Sequence, residues 1–112
     1  MNTRVKTRHV PWLAALSLVA TALLIPAESY GADAEAAQAL ARQNNCFKCH
    51  AVDKQKVGPA WKDVAAKYKG NKEAEQILIK HLTAGGKDGT HPVIRTKSPD
   101  EVKNVADWIL SL

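Results

Sequence analysis

Methionine is all but missing from this chain. Met1 is the only one among 112 residues, so a domain that loses its N-terminus has no thioether to offer a metal. Cysteine is nearly as scarce, with Cys46 and Cys49 alone. A membrane-length apolar run is lacking too. Trp12 to Ile25 is 14 residues without a charge, whereas a spanning helix needs about 20. No segment alternates polar and apolar residues as a half-buried strand would, which leaves helices as the expected elements. The net charge of +5 is too mild and too scattered for a nucleic-acid partner.

The first 31 residues carry the pattern of a secretory signal peptide. Arg4, Lys6 and Arg8 form a basic start, Trp12 to Ile25 the apolar centre, and Ser29-Tyr30-Gly31 offers small residues at the cut. Cleavage is expected after Gly31, with Ala27 and Ala32 as weaker positions. There is no twin-arginine pair, so the general secretory route would deliver an unfolded chain to the periplasm. The mature part, residues 32–112, is then one domain of 81 residues with 13 basic and 10 acidic side chains, a charge of +3 and no membrane span. A domain this small buries only about 60% of the surface its unfolded form exposes and usually needs a staple.

Four helices are expected in that domain. Asp33 caps the first, whose apolar face is Ala37, Leu40 and Ala41, and which ends near Asn44-Asn45. The second runs from Ala60 to Lys69 with Trp61, Val64, Ala65 and Tyr68 on one side, and Gly70 ends it. Asn71 caps the third, with the stripe Ala74, Ile77, Leu78, His81 and Leu82, closed by Gly85-Gly86. Ser98, Pro99 and Glu101 open the fourth as a capping box. Val102, Val105, Ala106, Ile109 and Leu110 form its buried face, and Trp108 stands at its margin. The irregular Lys87–Lys97 segment is long for so small a domain, and such loops usually have a job.

Cys46-Phe47-Lys48-Cys49-His50 carries the chemistry. Thiols at this spacing can add to the two vinyl groups of one haem, and the following histidine reaches the iron from the same turn. A thioredoxin-like dithiol would need strand–helix alternation, and a zinc site would need two further well-spaced ligands; neither is present. Cys46 and Cys49 are therefore read as thioether anchors of one haem c, which leaves no free thiol and no disulfide. His50 is read as the axial ligand, and its second ring nitrogen then requires an acceptor.

With these residues in place the chain resembles a small bacterial class I c-type cytochrome, the short monohaem cytochrome c-551-like kind. The likeness runs through Cys46–His50, Lys56-Val57-Gly58-Pro59-Ala60-Trp61-Lys62-Asp63-Val64-Ala65 and the final Ala106-Asp107-Trp108-Ile109-Leu110. It implies an all-α cytochrome c fold in which the first and last helices cross beside one haem. It also implies that the carbonyl of Pro59 accepts the proton of His50, and that the protein carries electrons rather than acting as an enzyme. In that family a methionine from the loop before the last helix binds the sixth iron position. Here the loop reads Gly85-Gly86-Lys87-Asp88-Gly89-Thr90-His91-Pro92-Val93-Ile94-Arg95-Thr96-Lys97, with no methionine and no tryptophan.

His91-Pro92 stands where the methionine–proline pair would fall, which favours His50/His91 coordination. A water-bound or open iron, His81, Lys87, Lys97 and Asn104 stay as alternatives. His81 and Trp61 are otherwise read as contacts of the haem edge or a propionate. Two imidazoles favour ferric iron and lower the potential, whereas a thioether raises it. A fully ligated iron serves electron transfer. An open one would bind or sense small gaseous ligands, and a haem subunit of a larger oxidoreductase is a further reading. Lys48, Lys54, Lys56, Lys62 and Lys67 lie near the haem motif in sequence, either as a solvated face or as a ring that steers redox partners through acidic patches.

Overall fold

The computed structural model describes residues 31–112. The leader assigned to residues 1–31 lies, but for Gly31, outside the described residues. Among the described residues the chain forms four α-helices and no strand: α1 (Ala34–Gln43), α2 (Trp61–Tyr68), α3 (Ala74–Ala84) and α4 (Pro99–Leu110), with a single 3-10 turn at Cys46–Lys48.

Helix α1 starts as its sequence dictates. Asp33 is extended, and its Oδ1 accepts the amide of Ala36 at 3.0 Å, satisfying one of the free N–H groups of the first turn. Its buried face of Ala37, Leu40 and Ala41 packs on α4. Ala37, Ala41 and Ala106 are all fully buried, and the absence of larger side chains there lets the two helices approach closely. Asn104 fastens the pair. Its Oδ1 accepts Asp33 N–H at 2.8 Å, and its Nδ2 donates to Asp33 O at 2.9 Å. An Ala106→Leu substitution should overpack this crossing and cost about 1–3 kcal/mol, read as a lowered urea midpoint at unchanged slope.

Helix α4 is the hub, packing on α1, α2 and α3. Three neighbours bury more than one stripe of it, which is why Trp108 lies in the core at 3% exposure and not at the margin as expected. Its ring meets Trp61 edge to face, with centroids 5.0 Å apart.

Two helix starts differ from their sequence signals. Asn71 does not cap α3, which begins three residues later behind Glu73. The Asn71 side chain instead accepts Glu73 N–H at 2.8 Å, and Ala74 N–H donates to Asn71 O at 3.2 Å, so a turn precedes the helix. At α4, Ser98 occupies the N-cap position without a side-chain capping bond. The Glu101 carboxylate accepts the hydroxyl of Thr96, and Thr96 Oγ1 in turn accepts Ser98 N–H at 3.1 Å. Thr96 thus replaces the capping box, because a hydroxyl two residues upstream reaches both partners.

Candidate functional site

The turn that follows α1 is set by backbone hydrogen bonds. Asn45 takes a left-handed conformation at φ 60°, and the amides of Cys49 and His50 both donate to Cys46 O, at 3.2 and 3.0 Å. One carbonyl therefore gathers the two cysteines and the histidine into a single loop of chain. Phe47 holds that loop against the core, edge to face with Trp61 at 4.9 Å and beneath the Arg42 guanidinium at 5.2 Å.

The His50 ring is fixed on two sides. Its Nδ1 lies 2.8 Å from Pro59 O, the geometry expected of a ring N–H donating to that carbonyl. Nε2 then faces away from Pro59 as the free donor nitrogen. Gly58 lies against the flat of the ring, where a Cβ would stand 2.4 Å from Cε1 and 2.8 Å from each ring nitrogen. Only glycine leaves room for the imidazole in this place. Its own amide donates to Cys49 O at 2.7 Å, tying the Gly58-Pro59 segment back to the turn. A Gly58→Ala variant should displace His50 and cut the yield of protein with attached haem at least severalfold, as seen by haem staining against total protein.

Beyond His50 opens a cavity of about 880 Å³, within the 300–1,000 Å³ or so of cofactor pockets. Cys46, Cys49, His50, Trp61, His81 and His91 all line it. Its walls are largely apolar, with Leu78 and Leu82 of α3, Val105 and Ile109 of α4, and Tyr68 of α2. Ile77 and Val57, two of the exposed large apolar side chains at 37% and 85% exposure, line it as well. Burial pushes the Cys46 thiol above its ordinary pKa, with the Cys46 backbone opposing and Cys49 adding a smaller upward effect. Both cysteines are free of any disulfide.

His91 enters the same cavity from the loop after α3. That loop begins with Gly85 and Gly86 in left-handed conformations at φ 84° and 79°, whose amides both donate to His81 O. It is then pinned along its length. His91 N–H donates to Gly85 O at 3.0 Å, Ile94 N–H to Leu82 O at 2.8 Å, and Arg95 N–H to the Asn44 side chain at 2.7 Å. The His91 and His50 ring centroids come to 6.0 Å. Burial holds His91 below the usual histidine pKa, and nearby His81 and His50 press the same way, with Pro92 opposing. The ring is therefore neutral near pH 7, the form that binds metal.

The other candidates are placed elsewhere. Asn104, in the middle of α4, is committed to Asp33, and Lys87 and Lys97 are exposed and do not line the cavity. Of the five lysines near the motif, only Lys48 and Lys67 reach the cavity wall. Lys56 donates to Phe47 O at 2.5 Å, and Lys62 borders a separate hollow beside Tyr68, Lys69 and Leu112. Sequence reasoning missed the steric role of Gly58 and the bracing role of Asn44. A glycine immediately before the acceptor proline was the only available sign of the first.

The donor set fits one haem: two thiols and a histidine on one turn, an apolar cavity, and a second imidazole across from the first. The model of the family "Cytochrome c" matches residues 34–112. The chain belongs to the cytochrome c family. It is 40% identical over 101 residues to cytochrome c-551 of Pseudomonas aeruginosa, covering 88% of this chain and 94% of that one. Against cytochrome c-552 of Nitrosomonas europaea it is 38% identical over 106 residues, covering 90% and 95%. Among solved structures, the class 1 cytochrome MtoD of Sideroxydans lithotrophicus is 49% identical with a TM-score of 0.61, over 72% of this chain and 97% of that one. The wild-type Nitrosomonas europaea cytochrome c552 structure gives 40% and 0.58, over 67% and 98%. As a member of this family the chain carries one covalent haem c, on the Cys46 and Cys49 motif, and is an electron carrier that works with redox-partner proteins.

Proposed function

We propose that this is a periplasmic electron carrier of low potential whose haem iron is held between His50 and His91. The 6.0 Å between the two ring centroids carries the reading. Two imidazoles bonded to one metal from opposite sides, each at about 2.0 Å, have centroids about 6 Å apart. His91 meets that requirement with a neutral ring on a loop anchored at Gly85, Leu82 and Asn44. When bound, haem supplies a one-electron ferric/ferrous couple. The residues set its poise and its access. Two nitrogen donors favour the ferric form relative to a nitrogen and a thioether. With both axial positions filled from the chain, no site would be left for a substrate, and the group would serve outer-sphere electron transfer.

Export follows from the leader, residues 1–31, with residues 32–112 as the mature domain. Docking uses the cavity mouth, where Val57 gives an apolar contact and Lys48 and Lys67 add positive charge for an acidic partner patch. Association should then slow as salt rises, because exposed charges are screened beyond about 10 Å at 0.1 M. The reading is tested by potentiometric titration of this protein beside cytochrome c-551 under the same conditions. A midpoint well below that of a His/Met relative is expected, and a midpoint equal to it would contradict the assignment.

A further inference from the structure

His91 brings into the cavity a polar atom without a well-formed hydrogen bond: its Nδ1 is buried, and the nearby Pro92 backbone meets the ring at no ordinary hydrogen-bond geometry. His50 has no such gap, since its Nδ1 meets Pro59 O at 2.8 Å. A histidine bound to metal through one nitrogen carries a proton on the other, and that proton needs an acceptor to fix the ring.

His81 is in position to supply one. Its ring centroid lies 4.3 Å from that of His91, tilted by 53°, and both rings line the same cavity. Gly86 makes the space for it. A Cβ on Gly86 would stand 3.0 Å from His81 Cε1 and 3.6 Å from His91 Cβ, so the exposed His81 lies beside both a bare backbone and the His91 ring. Ring nitrogens lie about 1 Å from their centroid, so a modest rotation brings a nitrogen pair within the roughly 2.7–3.2 Å of a hydrogen bond.

We propose that His81 is the positioning residue for His91, accepting its Nδ1–H and fixing the plane of that imidazole. The inference rests on His91 being an axial ligand. It gives the two axial histidines unlike supports: a backbone carbonyl behind His50, and a side chain on the last turn of α3 behind His91. Accepting the proton makes His91 a stronger donor and holds it on the iron.

The test uses holoprotein with His81→Phe, which keeps a ring against Gly86 but offers no acceptor, and His81→Gln, which restores one. The ferrous Phe variant should bind carbon monoxide about tenfold faster than the parent, the usual scale for losing such a partner, while the Gln variant returns most of the way. A Phe variant that matches the parent would overturn the proposal, as would Phe and Gln variants impaired alike. In the diamagnetic ferrous parent, which needs no substitution, the His91 Nδ1–H proton should show a magnetic contact with His81. A contact with the Pro92 carbonyl side alone would also overturn it. The ferric spectrum of the parent separates the two readings. Without a two-imidazole signature the axial assignment fails along with this inference, whereas a two-imidazole parent beside an unaltered Phe variant defeats the inference alone.

Discussion

A His91→Ala variant is expected to lose the low-spin ferric spectrum of the parent and to bind carbon monoxide rapidly once reduced. The argument is one of supply. Four histidines occur in the chain: His9 falls in the proposed leader, His50 takes the other axial position in the proposed account, and the exposed His81 stands beside Gly86 and His91. No methionine follows Met1, and Asn104 is bonded at both amide atoms to Asp33. With His91 gone, the iron would face water or an exogenous ligand, and its affinity for carbon monoxide should rise by more than the tenfold to hundredfold or so that follows loss of a mere hydrogen-bond partner of a metal ligand. Stopped-flow mixing of the ferrous variant with carbon monoxide reads this directly. A spectrum unchanged from the parent would move the sixth ligand to another residue.

The second large effect concerns folding. A Cys46→Ser/Cys49→Ser chain, which cannot anchor haem, should show little cooperative helix by far-UV circular dichroism. Domains of this size hold about 0.05–0.15 kcal/mol per residue, or roughly 4–12 kcal/mol in all. Unfilled core volume costs about 24 cal/mol per Å³. The cavity measures about 880 Å³, and leaving even a fifth of it unfilled would cost roughly 4 kcal/mol. Its walls include faces of α2, α3 and α4, so the loss falls on every helix that α4 gathers. A cooperative thermal transition at the temperature of the parent would contradict this.

Much of this architecture was legible in the residues, for identifiable reasons. Asp33 predicted the start of α1 because its carboxylate needs only the next turn of backbone, and local geometry alone decides that bond. The α1 and α4 faces followed from helical spacing, and Ala37, Leu40, Ala41, Val102, Val105, Ala106 and Ile109 are all buried. Gly85 ended α3 as expected, in a left-handed conformation. The misses depend on partners distant in sequence or on competition between near neighbours. Trp108 is buried because three helices surround α4, and no spacing rule counts neighbours. Asn71 spent its side chain on a turn ahead of α3, and Ser98 had a rival two residues upstream in Thr96.

The site divides in the same way. Cys46, Cys49 and His50 are adjacent in the chain, so their pattern could be read outright. Pro59 came from family resemblance, and the structure puts its carbonyl at hydrogen-bond distance from His50. The reason for Gly58 lies eight residues upstream, at the His50 ring, where the chain turns back on itself and leaves space only for hydrogen. Helical periodicity sends Lys62 and Lys67 to different sides of α2, so only Lys67 of the two lines the cavity.

The pairing of two imidazoles on one iron is tested most directly by the ferric holoprotein at low temperature, through combined electron paramagnetic resonance and near-infrared magnetic circular dichroism. The charge-transfer energy of a low-spin ferric haem depends on its axial pair. The account predicts a bis-histidine signature that disappears in His91→Ala and survives in Lys87 or Lys97 variants. A histidine–lysine, histidine–water or high-spin spectrum from the parent would contradict it.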